Sequence, residues 1–288
     1  MRGNQRAVYN VRPASNESEV HKNNFLWQSR MFKHPYHLVD KRPWPLLSAG
    51  GTFFIVVGVT GWIHNFDNIL PWFGFPIVLL SAGQWWRDVS REATFQGKHT
   101  ERVESGLRVG IALFIISEVR FFFSLFWSYF HAALNPRPEI AYWPPAGVNA
   151  TKPFEVPLLN TTLLLASGFT ITCAHHAIIQ SDWIEAHGSF AATTFLGSLF
   201  ILIQGLEYKY STFTMADSVY GGTFYLATGF HGVHVIFGNL FIFVMWWRHT
   251  KSHFSGCRHF GFEASAWYWH FVDVVWLFLF LSIYWWGY

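Results

Sequence analysis

An acid in the middle of an apolar run sets the strongest limit on how this chain folds. Residues 107–131 read LRVGIALFIISEVRFFFSLFWSYFH, long enough to cross a bilayer as a helix, which needs about 20 apolar residues. Glu118 sits near the centre, where an acid costs roughly 2.5–3.5 kcal/mol on insertion scales. Protein, water or a bound proton has to relieve that cost. Glu118 is therefore expected to face the inside of a helix bundle carrying its proton, because low dielectric disfavours the charged form. Two roles stay open for it: a proton-exchanging or partner-contacting group, or a neutral acid hydrogen-bonded to a neighbouring helix. Arg120 lies about 200° further round the helix, so it does not face Glu118 and is an unexplained cation near the membrane centre.

The rest of the chain agrees with a membrane setting. It is 51% hydrophobic and 20% aromatic with 13% charged residues, and it holds several apolar runs of bilayer length. The reading is an all-α polytopic membrane protein with seven transmembrane helices. Expected spans cover about 45–63, 69–88, 106–133, 157–180, 187–208, 218–248 and 261–286, with ends uncertain by a few residues. Pro71 and Pro76 predict an irregular start for the second span, and Asn160 is a possible cap near the start of the fourth. Residues 1–43 form a basic, polar N-terminal extension with no apolar core and hence no secretory signal; residues 44–288 form the membrane domain.

Lys and Arg distribute unevenly between the loops. One side holds the N-terminal tail, Arg87, Arg91, Lys98, Arg102 and Arg108, and then Arg248, Lys251 and Arg258; the other holds Arg137, Lys152 and Lys209. The positive-inside rule places the first side, with the N-terminus, in the cytoplasm or matrix. Glycines at helix-contact spacing and Trp pairs at span ends are packing and interface signals. No internal repeat supports an inverted-repeat transporter. The two cysteines, Cys173 and Cys257, form no paired-thiolate motif, which argues against zinc, iron–sulfur or dinuclear copper held that way.

Several polar groups fall inside the spans. His231 and His234 share a helical face. A haem would need His231 and a facing histidine such as His175, His176 or His270. The plainer reading is polar bonding between helices. His270 and Asp273, one turn apart, can hydrogen-bond within their helix. At the basic helix ends, QWWRDVSRE (84–92) and WWRHTKSH (246–253) place cations beside interfacial aromatics, which suits phospholipid phosphates. Nucleic acid is a poor partner for cations this close to membrane spans, and no phosphate loop or catalytic triad is visible.

Seven stretches together resemble subunit III of the mitochondrial haem–copper oxidase, the cytochrome c oxidase subunit III family: QWWRDVSREATFQGKHT (84–100), FIISEV (114–119), WPPAGV (143–148), EVPLLNT (155–161), LLASGFTITCAHH (164–176), YLATGFHGVHVIFG (225–238) and HFGFEASAWYWHFVDVVWLFLFLSIYWWG (259–287). The resemblance implies a two-helix and a five-helix group with a lipid-filled cleft, and no catalytic residue, metal or redox centre in this chain. Haem a and copper would sit in the partner subunits I and II, which move electrons from cytochrome c to oxygen and pump protons. The chain would stabilise that core, support proton uptake and contact accessory subunits in the mitochondrial inner membrane, N-terminus in the matrix and C-terminus in the intermembrane space.

Glu118 matches the family's carbodiimide-reactive glutamate. Trp86, Arg91, Glu92, His99, Arg248, Lys251 and His253 fall at positions that line its lipid sites, for cardiolipin, phosphatidylethanolamine or phosphatidylglycerol. His231, His234, His270 and Asp273 are read as structural polar groups. Arg120 departs from the apolar residue usual there; it either pairs with an acid of another chain or is recoded by transcript editing. Two rivals stand beside this reading: a haem-binding electron-transfer subunit using His231, and a proton channel built round Glu118 with Ser117, Ser124 and Ser128.

Overall fold

A computed structural model describes residues 35–66, 69–136 and 142–288. Most of the basic extension, and Arg137, lie outside these residues. The elements are helices throughout: α1 (Trp44–Ile63), α2 (Leu70–Thr94), α3 (Glu101–Leu134), α4 (Val156–Ile179), α5 (Trp183–Tyr210), α6 (Val219–Thr250) and α7 (Phe260–Leu279), the last continuing as a π-helical segment, Phe280–Trp285. Among the described residues, six helices are long and apolar enough to cross a membrane. The exception is α2, whose last turns carry Arg87, Asp88, Arg91 and Glu92, although it runs without a charge from Leu70 to Trp86. Pro71 sits in its first turn, where a missing N–H costs nothing. Pro76 is accommodated inside the continuous helix.

The chain divides into two compact units, Met1–Ser105 and Gly106–Tyr288. In the first, α1 and α2 pack through their glycines. A Cβ on Gly74 would stand 2.7 Å from the Gly51 carbonyl oxygen, so only hydrogen at these positions lets the two backbones approach this closely. Ser48 and Ser81 share a 2.8 Å hydrogen bond across the same contact.

The second unit is a bundle in which α5 packs on α4 and α6, and α7 packs on α4 and α6. Helix starts follow local chemistry: Asp182 caps α5 by accepting from the Ile184 and Glu185 amides, and Ser218 caps α6 by accepting from Gly221. Trp269 of α7 is, with Trp276, one of the two largest fully buried side chains among the described residues. Its ring lies against Gly197 of α5 and Gly238 of α6, and its indole N–H donates to Ser167 of α4 at 2.9 Å. Further bonds join helices inside the bundle: Trp276 to Thr161 (2.9 Å), Thr170 with Thr193 (2.7 Å) and Asn239 to Ser198 (3.0 Å). In hydrocarbon such bonds and close packing, not hydrophobicity, hold helices together.

Asn160 is not a cap. It is fully buried and donates to Gln204 of α5 at 3.1 Å, while Pro157 occupies the first turn of α4.

Candidate functional site

In the first unit, a cavity of about 310 Å³ opens where the chain enters α1 beside the C-terminal turns of α2. Its lining includes Lys41, Arg42, Trp44, Asp88, Arg91, Glu92 and Lys98. Two of its acids already have partners: Trp44 donates to Asp88 at 2.7 Å, and Arg42 lies 2.8 Å from Glu92. Lys41, Arg91 and Lys98 are exposed, and among the described residues none of them has a carboxylate partner. The cavity can therefore receive an anion. Trp86, nearby on α2, is 69% exposed. Glu92 and His99, which the sequence places at lipid-site positions, are both buried. Glu92 also meets His37 at 3.4 Å, and the His37 and His99 rings stack edge-on. Of Glu92 and His99, Glu92 forms part of the cavity wall.

In the second unit, Glu118 of α3 meets His234 of α6, with Oε2 2.9 Å from Nε2. His234 Nδ1 lies 2.7 Å from the Phe230 carbonyl oxygen. A carbonyl only accepts, so Nδ1 carries a proton. A proton must then also lie in the Nε2–Oε2 link, on the acid or on the imidazole; in either state the pair is net neutral. Phe122 and Tyr268 flank the imidazole. Glu118 thus gains the neighbouring-helix partner that its depth demands, and its serine neighbours do not extend the polar path: Ser117 and Ser124 donate to carbonyls of their own helix. Arg120 is exposed, and no hydrogen bond or ion pair engages it among the described residues.

The other histidines separate. His231 is buried, its Nε2 3.2 Å from the Val272 carbonyl and its ring against Phe200 and Trp276. His175 stacks edge-on with His259 and Phe262. His270 bonds to Thr172 of α4 at 3.2 Å rather than to Asp273. The expected bond within the helix is absent: Asp273 is turned to Gly168 of α4, whose missing Cβ makes room for the carboxylate. Spacing of one turn brings two side chains near each other, but α4 decides where each points.

At the C-terminal end of α6, Arg248 is buried rather than presented. It lies 4.8 Å over the Phe254 ring and 3.7 Å from the Met245 sulfur. Lys251 is exposed and His253 half-buried. Burial, with Arg248 and Lys251 beside it, lowers the His253 pKa below the usual imidazole range. Missed from sequence were the Arg108–Glu263 ion pair at 3.0 Å and a buried polar group in which Tyr284 donates to Glu207 at 2.8 Å while Gln204 donates to Tyr284 at 3.3 Å. The polar residues themselves, set in apolar runs, were the available signal.

Helices of bilayer length, polar side chains paired from helix to helix and a cation-lined cavity at a helix end define a polytopic helical membrane protein. The sequence model of cytochrome c oxidase subunit III matches residues 34–288. The chain is 54% identical over 255 residues to cytochrome c oxidase subunit 3 of Aedes aegypti, covering 88% of this chain and 97% of that one. It is 52% identical over 258 residues to that of Heterololigo bleekeri, covering 89% and 100%, and 54% identical over 255 residues to that of Petromyzon marinus, covering 88% and 98%. The chain belongs to the cytochrome c oxidase subunit III family and is a subunit of that oxidoreductase complex.

Proposed function

We propose that this chain is a non-redox core subunit of the proton-pumping oxidase, seated in the mitochondrial inner membrane with its N-terminus in the matrix. Subunits I and II hold haem a and copper and carry electrons from cytochrome c to oxygen. This chain steadies that core, contacts accessory subunits, carries phospholipid and supports proton uptake. The observation that carries the lipid part is the cavity in the first unit. Its Asp88 and Glu92 are engaged by Trp44 and Arg42, which leaves Lys41, Arg91 and Lys98 to meet a phosphate. A volume of about 310 Å³ is at the lower end for a ligand pocket and suits a headgroup, with the acyl chains lying along the apolar helices. Cardiolipin, phosphatidylethanolamine and phosphatidylglycerol all present that phosphate.

His231, His234, His270 and Asp273 act as structural polar groups in this reading. The Nε2 of His231 is spent on the Val272 carbonyl, which favours a packing role over haem ligation. The test is native mass spectrometry of the purified complex. Arg91→Ala with Lys98→Ala should lose at least one tightly held phospholipid that the unaltered complex retains. Unchanged lipid stoichiometry would remove the cavity from the account.

A further inference from the structure

The side of α3 that carries Arg120 is turned away from the bundle. α3 holds to the bundle by its opposite side, where Glu118 meets His234 at 2.9 Å and the Phe122 ring meets Phe271 edge-on. On the outer side Val109, Leu113, Ile116, Arg120, Phe123 and Trp127 are all exposed. They recur in alternating steps of four and three residues, which lines them up in one straight stripe. This is the spacing with which one helix packs along another at a shallow crossing angle, as most helix pairs in membranes do. Arg120 lies in the middle of the stripe. The apolar run of α3 covers 107–131, so its nearer end is 11 residues from Arg120, about 16 Å at 1.5 Å per residue. An arginine side chain is much shorter than that, so a lipid phosphate at its ordinary level does not meet the guanidinium.

A guanidinium is a fixed cation, and a charge at this depth almost always pairs with another polar group. Among the described residues this chain has no acid to spare for it. α1 carries none, and α2 carries none before Asp88. In α3 to α7 the acids beyond the first turns are Glu118, Glu207 and Asp273. Glu118 is bonded to His234 on the far side of α3, Glu207 accepts from Tyr284, and Asp273 is turned to Gly168 of α4. A second copy of this chain would bring another arginine to the stripe and no free acid. We propose that this stripe is the docking face for a transmembrane helix of a different subunit of the oxidase complex, one with an aspartate or glutamate at mid-membrane depth that pairs with Arg120. Above and below the acid that helix would be apolar, to match Leu113 and Ile116 on one side and Phe123 and Trp127 on the other. Only one height of the partner sets carboxylate against guanidinium, so the pair fixes the register of the two helices. A helix without the acid would leave Arg120 unpaired in hydrocarbon, so the pair also selects the partner.

The experiment uses the intact oxidase complex in lipid nanodiscs, imaged by electron cryomicroscopy. The expected map shows a helix of another subunit along the stripe, with a carboxylate oxygen within about 4 Å of the Arg120 guanidinium. Acyl chains alone along the stripe, a lipid phosphate drawn down to Arg120, or a partner helix with no acid at that height would overturn the proposal. Chemical coupling supplies the second readout. Arg120→Lys keeps the charge and adds a nucleophile. A membrane-permeant carbodiimide activates the facing carboxyl, the lysine amine displaces the urea, and an amide joins the two chains. Peptide mass spectrometry should find this cross-link to an acid-containing peptide of the second subunit, and Arg120→Met should lose it. No such product from Arg120→Lys, or a cross-link only within this chain, would refute the docking face. If either variant fails to assemble, the map of the unaltered complex decides alone.

Discussion

Replacing Glu118 by Leu removes one end of a 2.9 Å link between α3 and α6. His234 Nε2 then faces a methyl group with no water at that depth to replace the acid. Stranding a buried polar group costs about 1–3 kcal/mol, whereas interhelical bonds in membranes average about 0.6 and reach about 1.7 kcal/mol. The imidazole is only partly enclosed, its side chain 14% exposed, so the lower half of the range applies. A destabilisation of about 1–2 kcal/mol is expected for Glu118→Leu. Glu118→Gln should cost less, because its amide can donate to the Nε2 lone pair. A double-mutant cycle with His234→Leu, read as detergent-induced dissociation of the complex, should give a coupling of about 0.6–1.7 kcal/mol. Infrared difference spectroscopy of the same variants locates the shared proton, since only Glu118 in its acid form shows a carboxylic C=O band that Glu118→Gln removes. Zero coupling, with Glu118→Leu and Glu118→Gln equally stable, would refute the idea that His234 relieves the acid's burial.

Other expectations follow from the same geometry. Gly238→Ala places a Cβ 2.9 Å from the Trp269 ring, which also lies close to Gly197, so overpacking of about 1–3 kcal/mol should lower the thermal midpoint of the complex; an unchanged midpoint would show that the indole can move. His253 has a depressed pKa outside the spans, so in the absence of an anion the folded state resists its protonation. That contribution is complete above the ordinary imidazole pKa of about 6.5 and is lost as pH falls through the lower folded value. A phosphate bound beside it reverses the preference, so lipid retention near Lys251 should rise as pH falls below about 6.5. His253→Gln should flatten that pH profile, and a profile that keeps its slope would take His253 out of the lipid site. Peptide mass spectrometry across residues 109–137 should return arginine at position 120 if the exposed guanidinium meets an acid of another subunit; Trp or Cys there would establish recoding.

The spans were legible because an apolar run of bilayer length has few alternatives. Expected ends for α1 and α4 fall within a residue or so of Trp44–Ile63 and Val156–Ile179. The polar charge of α2 and the early start of α3 at Glu101 were harder, since helices continue past the membrane where hydropathy no longer marks them. Glu118 was legible as a residue that needs a partner, but its partner was not: His234 is 116 positions away, and only the packing of α3 on α6 brings them together. Local spacing misled at His270 and Asp273, where the His270–Thr172 bond and the room at Gly168 turn the two side chains to α4. At Arg248 the helix end was legible, but the Phe254 ring that lies against its guanidinium was not.

The central claim is that this chain supports a redox core without carrying a redox centre. A reduced-minus-oxidised optical spectrum, with haem and copper analysis, tests it on the purified complex and then on this chain alone. Haem a in the complex and none on the isolated chain is the predicted result. Haem retained by the isolated chain would contradict it and return His231 to the centre of the account.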